Sequence, residues 1–255
     1  MKERVFEPVM VDEKGTIRVF DRVPEFDVRS RKFRAVEDIP KEVPYRSYTW
    51  PLKVFLDQQR EGACVTFAIT HELIAVPKAF KGGSDMFARL LYPVAQQEDE
   101  FPGEDYDGTS FLGGYRALHK LKTPSGKLFV PRYEFAFQVY EMIRVVGSKG
   151  PVCVGSDWTS DMFNADETGF IHPTGYVAGG HGYCVPGQKI NFMKHSVFAR
   201  YNPGSIHMDK SYFTIHNAWG KDWGQGGRCK ISFTDMQYLL SQQGEVVIAL
   251  ERNAA

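Results

Sequence analysis

A cysteine at position 64, a histidine at 181 and an asparagine at 217 have the settings that nucleophilic catalysis requires. Cys64 ends the run Asp57-Gln58-Gln59-Arg60-Glu61-Gly62-Ala63 and opens an apolar segment, so it stands where a turn becomes a helix. The first N–H groups of a helix have no internal partners and carry partial positive charge, which stabilises a thiolate, the attacking form of cysteine. Gly62 and Ala63 leave the approach to the sulfur uncrowded. Gln58, six residues upstream, and the Cys64 backbone N–H are the candidate donors to a developing oxyanion. Alone, such a cysteine is more often a small buried hydrophobe, so the case depends on a base and on something to orient it.

His181 lies in Gly179-Gly180-His181-Gly182-Tyr183, where small neighbours leave one face of the ring open. His71 is also near Cys64 in sequence. Seven residues along a helix carry it about 10 Å down the axis, too far for direct proton transfer. Asn217 begins Asn217-Ala218-Trp219-Gly220-Lys221-Asp222-Trp223-Gly224. A neutral amide there can accept from an imidazole N–H and fix the tautomer, while Trp219 and Trp223 shield that hydrogen bond from water.

The elements that must position these residues fall into two textures. Apolar spacing predicts a helix from Cys64 to Pro77, further helices near 84–97 and at 109–121, and another at 134–148. After Gly150-Pro151 the pattern turns to strands, at 152–155, 181–186, 197–201, 212–217, 228–233 and 246–250. A helix-rich first half followed by a strand-rich second half is an α+β chain with two lobes. Near the start, Arg4–Val11 and Thr16–Val23 flank Asp12-Glu13-Lys14-Gly15, turn chemistry that predicts a hairpin. Residues 24–50, with Pro24, Pro40 and Pro44, read as an irregular extension.

Composition removes several classes of function. Thirty-one basic residues balance thirty-one acidic ones, so there is no field for nucleic acid. No apolar run is long enough for a membrane span, and Met1-Lys2-Glu3-Arg4 lacks the pattern of a secretory leader. The cysteines at 64, 153, 184 and 229 have neither zinc nor disulfide-framework spacing. Reduced thiols in a cytoplasmic or other intracellular compartment, with no metal and no cofactor, are the expectation.

Taken in order, these segments resemble the papain-like (C1) family of cysteine peptidases, of bacterial type. Gln58, Cys64 and Phe67 match its nucleophile segment, and Gly150-Pro151-Val152-Cys153-Val154 matches the start of its second lobe. His181 with Gly187 matches its histidine motif. Asn217, Trp219, Gly220, Trp223, Gly224 and Gly227 match its asparagine motif. The resemblance implies a helical left lobe at about 45–130 and an antiparallel, barrel-like β lobe at about 131–250. It implies a Cys64-His181-Asn217 triad with Gln58 and Cys64 at the oxyanion, acting on a peptide or protein. It also implies substrate binding by Gly108, Thr109 and Ser110, with Gly113-Gly114 as a competing alignment for that stretch, and by Gly180.

The sequence departs from the family at Val65 (usually Trp), Gln59 (usually Gly) and Glu61 (usually a disulfide-bonded Cys). Residues 188–211, basic through Lys189, Lys194, His195 and Arg200, look inserted between histidine and asparagine. Residues 1–44 are too short and too proline-interrupted for the usual helical pro-segment, and could instead meet a protein partner. A retired peptidase serving as a binding module, or an amidase on cell-wall peptides, are the alternative readings.

Overall fold

The structure is a computed structural model that describes residues 9–11, 14–20, 22, 39–99, 107–194 and 196–253. Expectations for 4–8, 12–13, 21, 23–38 and His195 lie outside the described residues.

The helices are α1 (Cys64–Ile74), α2 (Asp85–Glu98), α3 (Phe111–Lys120), α4 (Val139–Ser148) and α5 (Phe233–Ser241). All eleven residues of α1 are buried, the polar Thr66, Thr70, His71 and Glu72 along with the apolar ones. Its hydroxyls turn inward: Thr66 and Thr70 donate to the carbonyls of Ala63 and Thr66, at 3.1 and 2.7 Å. Side-chain caps set three of the helix starts. Ser84 accepts from Phe87 N, Ser110 from Gly113 N and Ser232 from Asp235 N. The cap at Ser110 is why α3 begins at Phe111 and not at 109.

The strands are β1 (Val9–Val11), β2 (Ile17–Val19), β3 (Tyr48–Thr49), β4 (Arg132–Ala136), β5 (Val152–Thr159), β6 (Val177–Lys189), β7 (Tyr212–His216), β8 (Arg228–Ser232) and β9 (Glu245–Glu251). β1 and β2 pair antiparallel, with Val9 opposite Val19. The other seven make one sheet in the order β4-β9-β5-β6-β7-β8, with β3 added to the end of β6. Every pair in it is antiparallel.

Three expectations change. Residues 132–136 are a strand, because Glu134, Phe135 and Ala136 pair with Ile248, Val247 and Val246, and that pairing overrides local helical spacing. Residues 197–201 form a 3-10 turn instead of a strand. There Ser196 Oγ accepts from Phe198 N and Asn202 Oδ1 from Gly204 N, local bonds that compete with a ladder. Helix α5 was not expected; it buries Phe233, Met236, Leu239 and Leu240.

Two main cores result. The larger lies among β5–β8, α4 and α5, with Trp158, Met162, Phe213, Phe233 and Trp219 at its centre. The second joins α1 and α3 to β4 and β9 through Ile69, Leu73, Tyr115, Phe135 and Val247. The helices meet the sheet where Gly182 of β6 abuts α1. A Cβ on Gly182 would come within 3.2 Å of Val65 Cα and 3.1 Å of Phe111 Cζ. The small residue at 65 and the glycine at 182 thus make the same close approach from opposite sides. No helix among the described residues is long and apolar enough to cross a membrane.

Candidate active site

Cys64 is the first residue of α1, and Ala63 before it supplies no side-chain cap to the orphan N–H groups. The turn leading to it is pinned to the loop that carries Asn217. Gln58 N donates to Ala218 O at 2.9 Å, Gly220 N donates to Leu56 O at 3.3 Å, and Asp57 forms a β-bridge with Trp219. Gln58 and Asn217, far apart in sequence, are therefore fixed against one another. Gln59 has φ +54°, a left-handed conformation that glycine adopts freely. The backbone geometry is kept without the glycine, held by Gln59 N donating to Asp57 Oδ1 at 2.9 Å.

His181 sits in β6 opposite Ser156 of β5, one residue before the glycine that touches α1. Its Nε2 lies 2.9 Å from Asn217 Oδ1. That oxygen can only accept, and it also takes the N–H of Ala218 at 2.8 Å, which fixes the amide. The ring therefore carries its proton on Nε2, leaving a lone pair on Nδ1, which has no hydrogen-bond partner among the described residues. A base needs that tautomer.

An aromatic box surrounds the imidazole. Trp219 lies over it with centroids 4.9 Å apart, and Trp158 meets it edge-on at 4.9 Å. Trp223 stands against Trp219 at 5.0 Å and donates Nε1–H to Phe163 O. Trp219 is thus against the imidazole, and Trp223 stands behind Trp219. Trp158 was missed; its position in a β strand gave no sign that it would face the imidazole. Burial in this box pushes the His181 pKa down to about 4, partly opposed by the hydrogen bond to Asn217. At neutral pH the ring is uncharged.

His71 is a structural group. Its Nε2 accepts from Leu56 N at 3.1 Å and its ring lies 4.5 Å from that of His216. Burial, with His216 next, holds its pKa well below the ordinary histidine value.

No protein-family model matches the chain. Procathepsin L of Rattus norvegicus is 26% identical over 138 residues, which cover 53% of this chain and 35% of the relative. Among solved structures, xylellain, a cysteine protease from Xylella fastidiosa, aligns over 98% of this chain and 100% of its own, with TM-score 0.62 and 18% identity. The digestive procathepsin L 3 of Tenebrio molitor larval midgut aligns over 80% of this chain and 70% of its own, with TM-score 0.52 and 16% identity. The chain has the papain-like fold.

In this papain-like chain the cleft beside the candidate triad is occupied by the N-terminal segment. Gln58 Nε2 donates to Glu61 O at 3.0 Å and lies 3.4 Å from Val19 O. Phe20 is buried and its ring meets His181 at 5.5 Å, Trp219 at 5.7 Å and Phe163 at 5.0 Å. Arg18 donates to Trp219 O at 3.3 Å. Arg22 N donates to Gly180 O at 3.0 Å, and Arg22 forms a β-bridge with Thr109 on the other side. With this segment in place Cys64 has no exposed surface.

The residues expected to bind substrate separate into contacts and supports. Thr109 and Gly180 are the two walls that hold Arg22. Gly108 N donates to Tyr92 OH at 2.6 Å, and Thr109 Oγ1 donates to Asp99 Oδ2 at 2.8 Å, so both are tied to α2 and its end. Ser110 Oγ accepts from Gly113 N at 3.0 Å and so caps α3.

Proposed function

We propose that this chain is a cysteine peptidase that hydrolyses peptide bonds with Cys64 as nucleophile, His181 as base and Asn217 as orienting residue. The observation that carries the reading is the 2.9 Å contact between His181 Nε2 and Asn217 Oδ1 inside the aromatic box. It directs the lone pair of Nδ1 away from Asn217, where a thiol proton can be taken.

In the reaction Nδ1 takes the proton of Cys64 Sγ, and the sulfur attacks the peptide carbonyl carbon. The tetrahedral oxyanion is met by the Cys64 N–H and the Gln58 amide, once that amide leaves Val19 O. His181 then returns the proton to the amine as the C–N bond breaks. Water, deprotonated by the same Nδ1, hydrolyses the thioester and restores the thiol. Each oxyanion donor is worth on the order of 3 kcal/mol of barrier. No step needs a metal or cofactor.

One observation favours a second reading. Because Val19, Phe20 and Arg22 lie against Gln58, His181 and Gly180, and Cys64 is fully buried, the chain could be a non-catalytic binding module. Turnover of a fluorogenic peptide, compared with Cys64→Ser, separates the two. Turnover abolished by Cys64→Ser supports the peptidase, and turnover equal in both proteins refutes it.

A further inference from the structure

Arg22 does more than cross the cleft. Its side chain runs into the sheet and ends with Nη2 at 3.2 Å from Glu245 Oε1. The two side chains keep 1% and 6% of their exposure. Glu245 opens β9 and pairs across the ladder with Gly155 of β5. Gly155 makes the room, because a Cβ there would lie 2.8 Å from both Cδ and Cζ of Arg22. A glycine, a buried carboxylate and two backbone walls at Thr109 and Gly180 therefore form a socket for one extended arginine.

We propose that this socket is the principal specificity subsite of the enzyme, and that it selects peptides carrying arginine before the cleaved bond. The proposal rests on the peptidase reading above. A substrate entering the cleft displaces Arg22 and leaves the Glu245 carboxylate in a site shaped for a guanidinium. An incoming arginine restores the ion pair, whereas leucine brings no charge and glutamate brings the wrong one. Lysine fits less well, since a compact ammonium cannot match the planar fork. Side chains leave an extended strand nearly perpendicular to its axis, so a substrate of either chain direction can reach Glu245.

The test uses the full chain carrying Arg22→Ala, which withdraws the internal guanidinium. Peptides carry Arg, Lys, Leu or Glu at each of the three positions before the cleaved bond. Arginine is expected to raise kcat/KM over leucine by at least about thirtyfold at one position. Adding Glu245→Gln, or separately Gly155→Ala, should reduce that ratio by about tenfold or more. A ratio unchanged in both variants, or no arginine preference at any position, overturns the socket and leaves the peptidase reading standing. If no peptide is cleaved, the peptidase reading fails, and fluorescence anisotropy with the same peptides decides. Tighter binding of arginine peptides that Glu245→Gln abolishes upholds the socket; equal affinities overturn it.

Discussion

The side-chain amide of Gln58 lies 3.4 Å from the backbone carbonyl of Val19. A group suited to hold a substrate oxyanion thus faces a carbonyl of its own chain. Phe20, next along, closes over His181 and Trp219. Burial of the proposed nucleophile and engagement of its proposed oxyanion donor share this segment, so they should be relieved together.

Loosening that segment should expose the thiol. Phe20→Ala removes a buried ring, a change that typically destabilises by about 3–5 kcal/mol where packing is tight. Part of that falls on docking of the segment, so alkylation of Cys64 by iodoacetamide should accelerate at least about tenfold. Mass spectrometry of the labelled peptide reads this. A wild-type thiol that already reacts at the rate of free cysteine would contradict the occluded site.

Acid should weaken the fold through His181. Its pKa is about 4 in the folded chain against an ordinary 6.5. Between those values the unfolded chain binds the extra proton, so stability present above pH 6.5 is lost as pH falls toward 4. One group shifted this far is worth about 3 kcal/mol. His71 and His216, also held low chiefly by burial, act in the same direction. Urea unfolding from pH 7 to 4 should show the decline, with a shallower slope in His181→Gln. Equal slopes would mean that the ring is not buried neutral.

Asn217→Ala removes the acceptor for two buried donors, His181 Nε2–H and Ala218 N–H. A loss of about 1–3 kcal/mol of stability is expected for each unsatisfied group. Peptide turnover should fall but remain above that of Cys64→Ala, because Asn217 orients without reacting. Equal residual rates in the two variants would assign Asn217 a larger part.

Glu72 is a buried carboxyl in α1 that ties four elements together. It accepts from Tyr115 OH of α3 and from Ala249 N of β9 at 2.7 Å, and Cys153 Sγ of β5 lies 3.9 Å away. Burial, outweighing Arg252 and the hydrogen bonds, raises its pKa. The stability linked to that shift is full below about pH 4.5 and is lost as pH rises through the folded value. Glu72→Ala should lower stability by several kcal/mol, roughly 1–3 per orphaned donor. Glu72→Gln should remove the carboxyl's pH dependence, and a denaturant series across pH 4 to 8 measures both.

What the sequence made legible was the part marked by unusual residue types at short range. Cys64 after Gly62-Ala63, His181 between glycines and Asn217 before two tryptophans are each local patterns, and the contact between His181 and Asn217 follows the expected pairing. Gln58 lies against the segment of Asn217 through its N–H to Ala218 O. Trp158 was not legible, because only the register of β5 on β6, with Trp158 opposite Gly179, brings it to the imidazole. Phe20, Arg22 and Glu245 were hidden for a similar reason. A cleft occupant is defined by the path of distant backbone, and Glu245 acquires meaning only when Gly155 and Arg22 stand beside it. The turn at 197–201 misled because its apolar residues look like a strand, although Val197 and Phe198 are exposed.

The occupant of the cleft belongs to the same chain as the cleft itself. Dilution cannot release it, and its strength as a competitor is set by an effective concentration that does not depend on the amount of protein. A free substrate must outcompete that fixed local dose, so the apparent KM of the full chain measures the tether as much as the site.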